Sequence, residues 1–241
     1  MRSRPEQRPY PAPGTRDRLP SVIAVTDRPW DVLLIGGPSG AGKSSVAYPL
    51  ARRHGVPVLE IDDIVCALEA MTTPEQQPEL FFWQIHPDAR DAPPAEILRQ
   101  GLALTAALEP ALAAVIGNHL ETDMPVVIEG DFLRPSFTIL DGYGGQRAAD
   151  RVRALFVVEP DVDQIVANYA SREPDAGDQR ARAEVSVAWS RWLVAEAQRL
   201  DVPTIRARPW QDVVDRAEAA IAASAEHKVK RDVSRSALPG A

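Results

Sequence analysis

Residues Gly37 to Ser44 read G-P-S-G-A-G-K-S, a spacing of glycine, lysine and hydroxyl side chains suited to wrapping a polyphosphate. Gly37, Gly40 and Gly42 let the backbone turn around an anion with its N–H groups facing inward, and the first turn of a following helix adds a positive dipole end. Lys43 has the reach and charge to meet β- and γ-phosphates, and Ser44 offers a hydroxyl ligand to Mg²⁺. Pro38, Ser39, Ala41 and Ser45 complete the loop residues expected to touch the ligand. The apolar run Val32-Leu33-Leu34-Ile35 before the loop, and helix-compatible residues after it, supply the strand-loop-helix setting such a loop needs. The chemistry implied is binding of a nucleoside triphosphate.

Three further groups of residues could act on that ligand. The run I-D-D-I puts Asp62 and Asp63 just past a second apolar run, where a carboxylate can take the proton of an attacking hydroxyl or orient it toward the γ-phosphate. Asp62 is the first choice as base, and capping of the next helix is the other use of the pair. In V-V-I-E-G-D-F-L-R-P, Glu129 stands where a carboxylate can hold Mg²⁺ or position an acceptor, and Asp131 could take the same part. Arg134 is a candidate for an anionic acceptor group, with a plain surface position as the alternative. Arg172, Arg180 and Arg182 flank a polar stretch with Gly177 and Pro174, the composition of a lid that carries charge to a transferred phosphoryl group. Arg208 and Trp210 follow a late apolar run, where the base of the nucleotide is expected.

These groups need a scaffold that brings them to one edge. Apolar runs at Asp31–Ile35, Pro57–Ile61, Pro125–Ile128, Val152–Val158 and Pro203–Ala207 alternate with helix-like stretches, which predicts a five-stranded parallel sheet covered on both faces. Ligands of such sheets sit at the carboxyl ends of the strands. The first helix is expected from Lys43 to His54, stopped at Gly55 and loosened at Pro49. A long connection over 65–123 marks an insertion, with Phe81, Phe82 and Trp83 in its first part. Its second part, Pro94 to His119, has helical apolar spacing and an expected break near Pro110. Arg90 and Arg99 in the insertion are compatible with a phosphorylated acceptor. Trp189, Trp192, Leu193 and Leu200 recur at helical spacing and read as core.

With 241 residues, 45% of them hydrophobic, the chain can bury one α/β core carrying an inserted subdomain. The organisation expected is an arm over 1–20 rich in proline and arginine and disordered, a catalytic domain over 21–223, and a loose tail over 224–241. Within the domain, 65–123 is the acceptor-binding insertion and 171–183 the lid. A formal charge of −7 argues against a nucleic-acid-coating surface. No stretch is expected to approach the roughly 20 apolar residues of a membrane span, and Cys66 is alone, both in keeping with a cytoplasmic protein. The four histidines lack ligand spacing, so a structural zinc site is not expected.

The order G-P-S-G-A-G-K-S, I-D-D-I, V-V-I-E-G-D-F-L-R-P and arginine-bearing stretch resembles the P-loop small-molecule kinases over roughly residues 31 to 223. In style it is similar to 2-phosphoglycerate kinase and zeta-toxin-like phosphotransferases. Glu129 in place of an aspartate is a departure from the usual second motif. The resemblance implies the three-layer P-loop NTPase fold, ATP and Mg²⁺ as partners, and transfer of the γ-phosphoryl group to a small-molecule hydroxyl. Two other activities stay open: a nucleotide-binding regulatory module with slow hydrolysis, and a toxin-like nucleotide-sugar kinase. D-G-Y-G-G-Q-R at Asp141 to Arg147 is similar to a transporter-ATPase signature, but its place after Glu129 argues against that class.

Overall fold

Apolar residues on consecutive positions of a strand face opposite sides of a sheet, so the uninterrupted runs require helices on both faces. The computed structural model, which describes residues 28–236, meets that requirement. Strands β1 (Val32–Gly36), β2 (Val58–Glu60), β3 (Val126–Gly130), β6 (Val152–Val157) and β7 (Thr204–Ile205) form one sheet in the order β2-β3-β1-β6-β7. Every pairing in it is parallel, with Ile35 opposite Glu129 and Leu155, and Glu60 opposite Glu129. All five predicted strands are present.

Helix α1 (Ser44–His54) and helix α7 (Val213–Ser236) cover one face, against Leu33, Ile35, Val127, Leu155 and Val157. Helix α4 (Pro94–Glu121) and helix α6 (Arg180–Leu200) cover the other, against Val32, Leu34, Ile128 and Phe156. Helix α2 (Ile61–Met71), the single turn α3 (Phe82–Ile85) and a 3-10 turn at Pro87–Asp91 make up the rest of the insertion. Helix α5 (Val162–Arg172) follows β6. Of the core stripe read in α6, Trp189 and Leu193 are buried, and Trp192 and Leu200 pack against the same core.

Four expectations are corrected. α4 does not break at Pro110: the residue is exposed and so is Ala106, whose freed carbonyl can be hydrated, while Leu108 and Leu112 anchor both sides in the core. α1 likewise runs unbroken through Pro49, with Ser45 exposed and Leu50 and Ala51 buried, before Gly55 closes it at φ 63°. The segment 224–236 is the continuation of α7 rather than a loose tail, in keeping with the helix-favouring Ala, Glu, Lys and Arg within it. α4 is long and apolar enough to cross a membrane, contrary to the expectation from sequence, yet its ridge of Leu104, Leu108, Leu112, Ile116 and Leu120 is buried within the protein. The arm over 1–20 and residues 237–241 lie outside the described residues.

The D-G-Y-G-G-Q-R stretch is a two-stranded hairpin, β4 (Gly142–Tyr143) with β5 (Gln146–Arg147). Tyr143 is buried in it and donates to the Phe137 carbonyl at 2.7 Å.

Candidate active site

The phosphate loop bridges β1 and α1, and its shape depends on glycine where the chain passes closest to its neighbours. Gly37 has φ 149°, and a Cβ there would lie 2.1 Å from the carbonyl oxygen of Val157. Gly42 has φ 97°, and a Cβ there would meet Ala207 at 2.8 Å and the Trp210 ring at 2.9 Å. Side chains at either position would therefore push the loop off β6 or off the segment after β7.

Lys43 is buried, donates to the Pro38 carbonyl at 3.3 Å and forms a close ion pair with Asp131. Burial alone would lower its pKa, but the charge and hydrogen bond of Asp131, helped by Glu129 and Asp62, outweigh burial and raise it. The ammonium is thus held charged. Ser44 Oγ donates to Glu129 Oε1 at 3.2 Å, while Glu129 Oε2 is buried with no partner among the described residues. Burial raises the pKa of Glu129, with Lys43 and the Ser44 hydroxyl acting against it. A hydroxyl beside a carboxylate with one orphaned oxygen is the hard-oxygen donor set that Mg²⁺ favours, so the residues fit that ion. The sequence left Glu129 and Asp131 as alternatives for one part; the structure gives them different partners, Ser44 and Lys43.

Asp62 and Asp63 occupy the first turn of α2, where the helix dipole favours carboxylates, and neither caps the helix through its side chain. Burial of the Asp62 carboxyl and the nearby charge of Asp131 raise its pKa, and Lys43 opposes them. Although Asp62 is exposed overall, it therefore shares an electrostatic neighbourhood with the loop lysine. Asp63 has no hydrogen bond or ion pair to the loop. Beside them, Tyr48 hydrogen-bonds Glu60, which pushes its pKa up to about 12.

The lid segment is the irregular chain over 173–179 between α5 and α6. Its arginines diverge. Arg182 stacks on the Tyr169 ring, 4.1 Å from its centroid, and donates to Ser39 Oγ at 3.2 Å and to Glu173 at 2.8 Å. Arg172 pairs with Glu173 and lines the cleft over the loop. Arg180 turns away to Asp163 at 2.8 Å. Two residues that the sequence reading missed hold the loop from α5: Tyr169 donates to the Ser39 carbonyl at 3.1 Å and Asn168 to the Gly40 carbonyl at 2.8 Å. Nothing in V-A-N-Y marks them out, because their role comes from packing across more than 120 residues of chain.

Arg208 bonds the Asn168 amide oxygen at 3.0 Å and lies over Trp210, 4.9 Å from the ring. Both line a cleft of about 370 Å³ together with Gly40, Gly42, Lys43, Ser44 and Ser45. Arg134 is elsewhere, with Nε and Nη2 both on Glu109 Oε1 of α4 at 2.8 and 2.6 Å. Among the described residues no cluster of three or more His, Cys, Asp or Glu side chains could hold a metal.

Comparison with known proteins falls on the same elements. A family model described as isopentenyl transferase matches residues 30–79, which hold β1, the loop, α1, β2 and α2. A 2-phosphoglycerate kinase of Pyrococcus horikoshii is 29% identical over 118 residues, 46% of this chain and 38% of that kinase. The chain thus matches well under half the length of this curated relative. Among solved structures, a sugar kinase from Janibacter sp. HTCC2649 is 16% identical with a TM-score of 0.48, over 80% of this chain and 95% of that one. A gluconokinase from Sinorhizobium meliloti 1021 is 20% identical with a TM-score of 0.45, over 84% and 97%. The 2-phosphoglycerate kinase is of the kind that the motif order resembles. The parallel order β2-β3-β1-β6-β7, with the glycine-rich loop between β1 and α1, is the P-loop NTPase fold.

Proposed function

We propose that the protein is an ATP- and Mg²⁺-dependent phosphotransferase that moves the γ-phosphoryl group of ATP to a hydroxyl of a small molecule. The observation that carries this reading is the buried Lys43 paired with Asp131, beside a Ser44 bonded to Glu129, with Asp62 within electrostatic reach of the lysine. Holding a metal occupies one carboxylate; a transferase needs another to take the proton of its acceptor.

In this reading the triphosphate lies along Gly37 to Ser45, with its base toward Arg208 and Trp210. Lys43 leaves Asp131 for the β- and γ-phosphates, and Ser44 and Glu129 hold Mg²⁺. The ion would neutralise charge on the phosphates. Asp62 orients the acceptor hydroxyl and receives its proton. The acceptor oxygen bonds to the γ-phosphorus as the bond from that phosphorus to the β,γ-bridging oxygen breaks, and ADP departs with the electron pair. Arg182, already against Ser39, is the lid arginine nearest the loop and offers its guanidinium to the transferred group. Arg172 stands behind it, and Arg180 stabilises the base of the lid. The acidic net charge and single cysteine suit a cytoplasmic enzyme that binds no nucleic acid or membrane.

The test is ADP formation and phosphoryl transfer, followed by ³¹P NMR with a panel of hydroxylated metabolites that includes a nucleotide sugar, for the wild type and Lys43→Ala. Acceptor-dependent transfer in the wild type and its loss in the variant are expected. Tight MgATP binding with no acceptor-stimulated ADP formation would favour a regulatory module. Dimethylallyl diphosphate belongs in the panel because of the family model matched over 30–79, and its consumption without γ-phosphoryl transfer would overturn the kinase reading.

A further inference from the structure

Between the insertion and the lid lies a cleft of about 780 Å³, twice the size of the one over the phosphate loop. Trp83 and the α4 residues Pro94 and Ile97 form one wall, and Val185 of α6 faces them. The cleft adjoins the phosphate loop through one side chain. Arg182 lines it and also donates to Ser39. The side chains of two exposed charged residues in its lining, Arg90 and Asp91, have no hydrogen bond or ion pair among the described residues. By contrast, Asp178 accepts from the Arg180 backbone N–H at 2.9 Å, and Glu184 pairs with the Arg180 guanidinium at 3.8 Å.

We propose that this cleft takes the acceptor, and that the acceptor is a hydroxyl-bearing organic anion with a flat apolar or aromatic body rather than a small polyol acid. The proposal rests on the phosphotransferase reading above and deepens it. A triose or hexose acid presents hydroxyls on every side and needs a dense set of donors and acceptors; an apolar wall would leave them unpaired. Here the indole of Trp83, the ring of Pro94 and the branched side chains of Ile97 and Val185 provide broad apolar contact. The volume falls within the range of sites that enclose a ligand of drug-like size. Arg90 supplies the counter-charge for an anionic substituent, and Asp91 accepts from a second hydroxyl or an N–H of the ligand. The reacting hydroxyl lies at the Arg182 end, so its oxygen gains the phosphoryl group, its proton passes to Asp62, and ADP leaves.

Isothermal titration of the full chain in the presence of MgADP tests this, with 3-(4-hydroxyphenyl)lactate as the aryl probe and D-gluconate and D-glycerate as the polyol probes. Saturable binding of the aryl anion about tenfold tighter than either polyol is expected. Arg90→Glu and Val185→Asp should each weaken it by about tenfold while leaving MgATP affinity unchanged. Arg90 is exposed, so its variant keeps the test sound if Val185→Asp does not fold. Equal or tighter binding of the polyol acids, or aryl binding indifferent to both variants, would overturn the proposal. The two readings fail differently: transfer to a polyol acid with weak aryl binding retains the kinase and overturns this acceptor class, whereas absence of transfer to every acceptor removes the kinase itself.

Discussion

Around the phosphate loop nearly every polar group has found a partner: Lys43 has Asp131 and Pro38, Ser44 has Glu129, Ser39 has Arg182 and Tyr169, and Gly40 has Asn168. Across the lid, the larger cleft offers Arg90 and Asp91 without partners, set among apolar walls. The loop serves a ligand of fixed chemistry, so its backbone can be held in advance, which reduces reorganisation when charge develops. The cleft serves a partner whose shape decides specificity, and its groups stay unmatched until that partner arrives. Variants on the two sides should therefore fail in different ways.

The largest effect is expected from Lys43→Ala, which removes the buried ammonium and leaves Asp131 without its cation. Transfer should fall by about 10² to 10³-fold, read as single-turnover phosphoryl transfer, by analogy with losing one preorganised charge donor. Gly37→Ala comes next, because its Cβ would sit 2.1 Å from the Val157 carbonyl. Nucleotide affinity measured by calorimetry should drop by at least about tenfold, with binding of an acceptor-side probe largely kept. The lid arginines provide an internal contrast. Arg182→Ala should lower kcat by about 10²-fold, while Arg180→Ala, which loses only exposed pairs with Asp163 and Glu184, should stay within about twofold.

The smallest effect concerns pH. The folded-state pKa of Glu129 is raised by burial, so its neutral form is favoured by folding. Its contribution to stability is present below the unfolded-state value and is lost as pH rises through the raised one. The difference in melting temperature, wild type minus Glu129→Gln, should therefore become less favourable to the wild type from acid toward neutral pH. Mg²⁺ should offset that loss in the wild type alone. A pH-independent difference would mean that burial does not penalise the Glu129 carboxylate.

The same contrast explains what the sequence made legible. The loop is a local motif, eight consecutive residues between a strand and a helix, and the carboxyl edge of a parallel sheet follows from apolar runs; both can be read without a structure. The positions of Asp62, just past β2, and of Glu129, near the end of β3, are legible because apolar runs mark those strands. The choice of Arg182 over Arg180 was not, since it depends on which turn of α6 faces Tyr169. Nor was the larger cleft, which joins residues 83–97 to residues 178–185 through tertiary packing alone. Arg134 marks the other limit: its position after β3 suggests an anion site, and its ion pair with Glu109 on α4, a neighbour only in the fold, cannot be read from the sequence. Pro110 did not stop α4 because buried leucines on both sides hold the helix in register.

The central claim is that the loop directs the γ-phosphoryl group to an acceptor rather than to water. It is tested most directly by following γ-³²P from MgATP in a single turnover, without and with an organic acid drawn in turn from 3-(4-hydroxyphenyl)lactate, D-gluconate and D-glycerate, in the wild type and in Lys43→Ala. Label on the organic acid in the wild type, absent in the variant, is the result predicted. Label appearing only as inorganic phosphate with every one of these acids, at a rate none of them changes, would contradict it.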